Sequence, residues 1–249
     1  MQNTFYIVGS GPGDPELLTL KAYNVLSKAS VVLFDNLVNE DLLDMLPTHC
    51  IKRYVGKKPF GEYVPQSDIN ALIAYYCPRY PTVVRLKGGD PYIYGRGFEE
   101  WAVAKQLGVH VVYVPGITSM QGVGMWDIPL THRGTSEGVW VLTGMKRDGN
   151  ISSDLSLAVQ SHSTVVIYMG MRKLSEIART YVMHGKGDTP AAILQDATKP
   201  ESRRVTCAVR DLVKCSRAAN MSNPAIIIIG EVVALNEAAA SLSLKRNVV

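Results

Sequence analysis

The sequence has few of the residues that mark metal-binding, redox or secreted proteins. It contains four cysteines and five histidines in 249 residues, with no C-x-x-C pair and no H-E-x-x-H motif. Zinc sites and thioredoxin-type sites depend on such spacings. We therefore interpret the cysteines as free thiols and expect no metal.

Long apolar runs and an excess of one charge are also missing. The longest apolar run, 225–235, contains Glu231 and is far shorter than the roughly 20 residues of a membrane-spanning helix. The first residues lack a basic segment followed by a long apolar stretch, so no signal peptide is expected. The formal net charge is +4, without the clustered basic face typical of nucleic-acid binding. These absences predict a cytoplasmic protein that binds neither nucleic acid nor a membrane.

What the sequence does have is a regular alternation of apolar runs and helical patterns. Hydrophobic residues make up 47% of the chain and charged residues 19%, which is typical of a globular protein. In the first half, strands are predicted at 5–8, 31–34, 51–55, 83–86 and 109–114, and helices at 17–26, 41–46, 68–75 and 99–107. Strands that alternate with helices indicate a mostly parallel sheet covered on both faces.

The second half repeats this alternation with different spacing. Strands are predicted at 138–142, 164–168, 191–194, 204–208 and 225–229, and the clearest helix at 173–183. A Pro-Gly turn that ends the strand at 109–114 marks the division between the halves. We therefore predict an N-terminal α/β domain over 1–115, a C-terminal α/β domain over 116–238 and a flexible tail over 239–249.

The first turn between a strand and a helix is rich in glycine. It reads Gly-Ser-Gly-Pro-Gly-Asp-Pro over 9–15. A dinucleotide fingerprint needs a glycine where Asp14 stands, and a carboxylate there would repel a pyrophosphate. The sequence also has no G-x-x-x-x-G-K-[ST] loop. NAD and ATP binding are therefore not favoured.

A second glycine-rich turn follows the predicted strand at 83–86. It reads Lys-Gly-Gly-Asp-Pro over 87–91, and open parallel sheets bind ligands at the carboxyl ends of their strands. Backbone carbonyls and the Asp90 carboxylate favour a positively charged ligand over a phosphate. Arg85 and Lys87, two residues apart on the strand, are expected to share one face.

Several motifs in the same order resemble the tetrapyrrole methylase family, and within it the S-adenosylmethionine-dependent uroporphyrinogen-III C-methyltransferases. The resemblance covers about 4–236. Its motifs are VGSGPGDPELLT at 8–19, YVGK at 54–57, VPQ at 64–66, the segment 85–97, PGITS at 115–119, IPLTHR at 128–133 and IGEVV at 229–233.

The resemblance implies a fold of two α/β domains of the tetrapyrrole methylase type, with S-adenosyl-L-methionine in the inter-domain cleft, S-adenosyl-L-homocysteine as product, and a homodimer. Matched position by position, the cofactor residues are Pro12, Gly88, Gly89, Asp90, Ile93, Thr118, Ser119, Met169 and Ala197. Asp35 and Lys57 match a proton acceptor and a proton donor. Arg96 and Glu99 complete the catalytic set, and Arg133, Lys58 and Trp126 are assigned to the substrate.

The chemistry of such a reaction agrees with these residue types. A pyrrole carbon that takes up a methyl group must lose a proton elsewhere on the macrocycle, which requires a general base and acid. A polyanionic small-molecule substrate needs local guanidinium and ammonium groups. The expected positive lining consists of Arg53, Lys57, Lys58, Arg85, Lys87, Arg96 and Arg133. Simpler interpretations stay open, because Asp35 would also cap a turn and Glu99-Glu100 would also favour a helix dipole.

Three positions depart from the family pattern on the expected substrate side: Asn36, Phe98 and the stretch 125–127, Met-Trp-Asp. The main hypothesis is C-methylation of uroporphyrinogen III at C-2 and C-7 to give precorrin-2. Its alternatives are a repurposed methyltransferase for another tetrapyrrole or small acceptor, and a non-catalytic S-adenosylmethionine-binding regulator. A nicotinamide-dependent oxidoreductase is disfavoured by Asp14.

Overall fold

The computed structural model describes residues 3–56 and 64–235, and it contains two five-stranded sheets. The chain divides into two compact units, Met1–Ser119 and Met120–Val249, with one sheet in each. The predicted tail at 239–249 lies outside the described residues.

The first unit is built on a wholly parallel sheet. Its strands are β1 (Thr4–Gly9), β2 (Val31–Phe34), β3 (Ile51–Tyr54), β4 (Thr82–Lys87) and β5 (His110–Val114), in the order β3-β2-β4-β1-β5. Each neighbouring pair is parallel. The predicted parallel sheet is confirmed.

Helices cover both faces of this sheet, which explains why an inner strand such as β2 reads as an uninterrupted apolar run. The helices are α1 (Leu20–Leu26), α2 (Gln66–Tyr76) and α3 (Gly97–Gln106). Leu26 of α1 packs with Val8 on one face, while Ile73 of α2 and Ala104 of α3 pack with Phe5 on the other.

The first two predicted helices differ most from the structure, one in its first residue and the other in its type. The helix predicted at 17–26 begins only at Leu20, because the Thr19 hydroxyl accepts from the backbone N–H of Ala22 and caps α1 there. Pro15–Leu17 forms a separate 3-10 turn capped by Asp14. The helix predicted at 41–46 is a 3-10 helix, Glu40–Met45.

The second unit has a mixed sheet. Its strands are β6 (Val139–Thr143), β7 (Thr164–Tyr168), β8 (Pro190–Gln195), β9 (Arg203–Ala208) and β10 (Ala225–Ile229), in the order β6-β7-β10-β8-β9. β6 and β7 are parallel, whereas the other neighbouring pairs are antiparallel. The second half therefore does not repeat the topology of the first.

Different elements cover the two faces of the second sheet. One face packs against α4 (Leu155–Gln160), α5 (Leu174–Met183) and α6 (Leu212–Ala218), and Ile177 of α5 is fully buried in this cluster. The other face is covered by Val123, Ile128 and Val232 from non-helical or 3-10 segments. Among the described residues, no helix combines the length and the apolar character that a membrane crossing requires.

Strand direction decides which loops meet. β1, β2, β4 and β5 are parallel, so the loops that follow them all leave the same edge of the first sheet. In the second sheet β7 and β8 run the same way, since each is antiparallel to β10 between them. Met169 and Ala197, which follow these two strands, therefore share an edge of that sheet.

Candidate functional site

Three glycines bring the loops after β1, β4 and β5 into direct backbone contact. A Cβ atom on Gly9 would lie 2.5 Å from the nitrogen of Gly116 and 2.6 Å from the oxygen of Gly89. The N–H of Gly89 donates to the oxygen of Gly11 at 2.7 Å, and the N–H of Gly11 donates back at 3.3 Å. The loops therefore pack backbone against backbone at this edge of the sheet, where a side chain on Gly9 would not fit.

Asp90 holds the second glycine loop in place. Its side chain is buried, Oδ1 accepts from the N–H of Tyr92 at 2.8 Å, and Oδ2 accepts from the N–H of Gly116 at 3.1 Å. Oδ2 also accepts from the Tyr113 hydroxyl at 2.5 Å. The carboxylate thus fixes the loop after β4 against the end of β5, while a direct contact between Asp90 and a ligand stays a prediction.

Tyr113 is the side-chain partner of Asp90, and the sequence analysis did not single it out. Its ring stacks on that of Tyr92, with centroids 4.2 Å apart and planes 6° from parallel. Burial raises the pKa of the Tyr113 phenol, and the hydrogen bond to Asp90 raises it further. The phenol therefore stays protonated and donates to the carboxylate.

Replacement of Tyr113 by phenylalanine should destabilise the protein. The substitution keeps the stacked ring but removes one donor from a buried carboxylate oxygen, which typically costs about 1–3 kcal/mol. We expect a loss of that size in the free energy of unfolding measured with urea. Tyr75→Phe is the matched control, because Tyr75 is exposed. Equal stabilities for the two variants would contradict this role of Tyr113.

The remaining first-unit cofactor candidates lie around the same loops. A Cβ atom on Gly89, whose φ is +64°, would lie 3.9 Å from Cα of Thr118 and 4.0 Å from Oγ of Ser119. Pro12 follows the paired Gly11, and the N–H of Ile93 donates to the oxygen of Asp90. The structure therefore brings together Pro12, Gly88, Gly89, Asp90, Ile93, Thr118 and Ser119.

Asp35 lies at the same edge, directly after β2. Its Oδ1 accepts from the N–H of Leu37 at 3.1 Å, so the capping interpretation holds. Its Oδ2 accepts from Nη2 of Arg85 at 2.8 Å, and the side chain is 18% exposed. A Cβ atom on Gly88 would lie 2.5 Å from Cβ of Leu37, which places this turn against the glycine loop. Asp35 therefore combines a fixed orientation with access to solvent.

Asp35 contacts a cluster of buried charged side chains, Arg85, Lys87 and Glu100, through Arg85. Glu100 on α3 is fully buried, and its Oε1 lies 3.2 Å from Nε of Arg85 and 3.0 Å from Nζ of Lys87. Burial lowers the pKa of the Lys87 ammonium and the Arg85 charge lowers it further, whereas Glu100 raises it. Arg85 and Lys87 do share a face, as predicted, but they are buried and so do not form part of an exposed positive lining.

Glu100, like Tyr113, is a residue whose contacts the sequence analysis did not foresee. Glu99 and Glu100 both lie in the first turn of α3, as the helix-dipole interpretation requires. Glu99 is exposed, however, whereas Glu100 is buried against two cations, which that interpretation does not explain. The sequence does contain a signal for such a residue. Arg85 and Lys87 are two cations on one face of a buried strand, and buried cations need a buried carboxylate as partner.

Arg96 and Glu99 form an exposed pair with two contacts. Nε and Nη2 of Arg96 lie 2.8 Å and 2.6 Å from Oε1 and Oε2 of Glu99. Arg96 has φ +58° at the start of α3, and Phe98, 63% exposed, stacks on Trp101. Of the other residues of the predicted lining, Arg133 is exposed, Arg53 donates to the Tyr76 hydroxyl, and Lys57 and Lys58 lie outside the described residues.

In the second unit, two loops carry the remaining candidates. Met169 follows β7 with φ +55° and is 45% exposed. Ala197 is buried, and its oxygen accepts from Nε1 of Trp126 at 2.9 Å. Arg204 donates to the Trp126 oxygen and lies 5.6 Å over its ring. Trp126 therefore anchors the loop of Ala197, and its contact with a substrate stays a prediction.

The family model described as Tetrapyrrole (Corrin/Porphyrin) Methylases matches residues 4–213. A siroheme synthase from Chromobacterium violaceum is 40% identical over 232 residues, which is 92% of this chain and 49% of that protein. The S-adenosyl-L-methionine-dependent uroporphyrinogen III methyltransferase, chloroplastic, of Arabidopsis thaliana is 40% identical over 93% of this chain and 64% of that protein. The chain thus spans about half to two thirds of these relatives.

A solved structure matches over nearly all of both chains. It is a uroporphyrin-III C-methyl transferase from Thermus thermophilus complexed with S-adenyl homocysteine, with a TM-score of 0.81 and 39% sequence identity over 94% of this chain and 100% of that one. This match confirms the predicted class of two α/β domains of the tetrapyrrole methylase type, while the predicted position of the cofactor stays a prediction. The family match over 4–213 and the identity to these relatives confirm the predicted resemblance, and the chain belongs to the tetrapyrrole methylase family.

Proposed function

We propose that this protein is an S-adenosyl-L-methionine-dependent methyltransferase that C-methylates uroporphyrinogen III at C-2 and C-7 and produces precorrin-2. The observation that carries the proposal is the position of Asp35. A part-exposed carboxylate, held by Arg85 and by the N–H of Leu37, lies at the same sheet edge as the glycine loops. The relatives named for this activity support the choice of reaction.

The residues present at this edge fit the methyl donor. The loops at Gly11 and Gly89 are joined by two backbone hydrogen bonds, and φ is positive at both glycines, which leaves no side chain between the loops. In the loop that contains Gly11, Oγ of Ser10 is buried and has no hydrogen-bond partner among the described residues. We assign the donor to Pro12, Gly88, Gly89, Asp90, Ile93, Thr118 and Ser119. In the second unit we assign it to Met169, whose half-exposed thioether suits an aromatic ring, and to Ala197.

The chemistry that this donor supplies is an electrophilic methyl group on a sulfonium. The protein then has to orient the acceptor, exclude water and take a proton. We assign proton acceptance to Asp35 and proton donation to Lys57. Carboxylates of the substrate need charged donors, which we assign to Arg96, Lys58 and Arg133, with Glu99 orienting Arg96 through their two contacts.

A second candidate function is methylation of a different acceptor. It is favoured by Phe98 and Trp126, bulky side chains at positions where the family pattern has smaller ones. Phe98 is 63% exposed and so is available to an acceptor. This alternative keeps the same donor and the same base.

The experiment that tests the proposal is a methyl-transfer assay. Purified protein is incubated without oxygen with a radiolabelled methyl donor and freshly reduced uroporphyrinogen III, and label in the macrocycle is counted. We expect label to accumulate in the tetrapyrrole and S-adenosyl-L-homocysteine to form in equal amount. Tight donor binding by calorimetry without transfer would contradict the proposed reaction and favour another acceptor or a regulator.

A further inference from the structure

The charge cluster in the first unit contains two cations and two carboxylates. Arg85 and Lys87 come from β4, Glu100 from α3, and Asp35 from the turn after β2. Glu100 is fully buried, whereas Asp35 is the most exposed member. Only Asp35 is therefore placed to reach a bound substrate, while the other three are internal.

The two carboxylates accept unequal numbers of hydrogen bonds from the two cationic side chains. Oε1 of Glu100 accepts from both Nε of Arg85 and Nζ of Lys87. Nη1 of Arg85 donates to the backbone oxygens of Leu33 and Leu86, at 3.3 Å and 2.7 Å. These bonds leave Nη2 of Arg85 as the group that contacts Asp35. Most of the cluster's positive charge thus faces Glu100.

We propose that Glu100 is a positioning residue for methyl transfer: by neutralising Lys87 and one edge of Arg85, it leaves Asp35 with one cationic contact among residues 3–56 and 64–235 and able to accept a proton. This inference rests on the proposed function, in which Asp35 is the proton acceptor. The proton moves from a ring carbon of the methylated macrocycle to an Asp35 oxygen, and the electron pair of the broken C–H bond stays in the macrocycle. No bond forms or breaks at Glu100.

Charge balance explains why Glu100 controls this step. Buried charges are weakly screened, so an unpaired cation acts strongly on a carboxylate a few ångströms away. Without Glu100, two cations face Asp35 alone, and its protonation would leave both uncompensated. Within the described part of the chain, the charged and titratable groups that face Asp35 from the elements around it are Arg85 and Lys87 on β4, Glu100 on α3 and Tyr54 on β3.

The first test is Glu100→Gln, which keeps the shape and one acceptor but removes the charge. We expect the single-turnover rate constant of methyl transfer to fall about tenfold, which is less than the roughly 10²–10⁴-fold expected for loss of the general base itself. The acid limb of the pH profile is the fall of this rate constant towards low pH, and its loss in Asp35→Asn identifies it with Asp35. In Glu100→Gln the acid limb should move to lower pH, because the carboxylate form of Asp35 is favoured. The dissociation constant for S-adenosyl-L-homocysteine should change less than about twofold, since the described hydrogen-bond partners of Glu100, which are Arg85, Lys87 and Gln66, are not among the residues assigned to the donor.

The second test restores the charge balance. In Glu100→Gln with Lys87→Met, one cation and one carboxylate are removed together, and we expect the rate constant to return to within about threefold of wild type. Lys87→Met alone leaves a surplus carboxylate, so its acid limb should move to higher pH. This single variant also keeps the test open if Glu100→Gln fails to fold. Asp68→Asn, an exposed carboxylate on α2, is the control and should behave as wild type.

Three results would overturn the inference. They are a wild-type rate and pH profile in Glu100→Gln, an unrelieved loss in the double variant, or an unmoved acid limb in Lys87→Met. An inactive wild type with uroporphyrinogen III is a different outcome, because it overturns the proposed function itself and this inference with it. Comparison of wild type with the variants therefore separates the two failures.

Discussion

Asp35→Asn should lower the rate constant of methyl transfer by about 10²–10⁴-fold, the usual contribution of a general base. Asparagine keeps the acceptor for the N–H of Leu37 and almost the same volume, so the turn after β2 should persist. Its amide cannot take up a proton under the assay conditions. The measurement is single-turnover transfer of labelled methyl to uroporphyrinogen III.

Two comparisons make this result specific to the base. Binding of S-adenosyl-L-homocysteine, measured by calorimetry, should stay within about twofold of wild type, because removal of a transition-state interaction need not weaken ligand binding. Asp68→Asn makes the same chemical change at an exposed position. If Asp35→Asn retained most of the wild-type rate, Asp35 would be a turn cap and an ion-pair partner only.

Gly9→Ala should have the largest effect on donor binding. The added Cβ would lie 2.5 Å from the nitrogen of Gly116 and 2.6 Å from the oxygen of Gly89, and both are backbone atoms that have little room to move. The loops after β4 and β5 must then separate. We expect the affinity for S-adenosyl-L-homocysteine to fall more than about tenfold and the free energy of unfolding to fall by about 1–3 kcal/mol, as for an overpacked core.

Gly124→Ala is the matched control for this prediction. A Cβ atom at Gly124 would have no heavy atom within 4 Å, and its φ is not in the left-handed region, so affinity and stability should match wild type. Calorimetry and urea unfolding on both variants provide the test. Wild-type affinity in a folded Gly9→Ala variant would contradict the placement of the donor at these loops.

The strands and the parallel first sheet were predictable because local sequence encodes them. Runs such as Val31–Phe34 are apolar throughout, as expected for strands covered on both faces, and each is followed by a helix that returns the chain in parallel. The direction of β8, β9 and β10 was not predictable in this way. Their antiparallel pairing depends on which strands become neighbours, and β10 inserts between β7 and β8 although it comes last in the sequence.

In the candidate site, too, some residues were predictable from local sequence and others were not. Asp35 and the Gly88-Gly89-Asp90 turn stand at strand ends, where sequence position alone indicates a ligand. The partners of these residues were not predictable, because they are brought together only by packing: Tyr113 reaches Asp90 from β5, and Glu100 reaches Arg85 from α3. Trp126 was expected to line the substrate site. Its bond to the oxygen of Ala197, 71 residues away, depends on the fold of the second unit.

The most direct test of the proposed function is ¹³C NMR of the product formed from a donor labelled with ¹³C in its methyl group. Wild-type protein and reduced uroporphyrinogen III should yield a tetrapyrrole with labelled methyl groups at C-2 and C-7. Label at other ring positions would contradict the assigned product. Absence of label from the macrocycle, with donor binding intact, would contradict the assigned reaction.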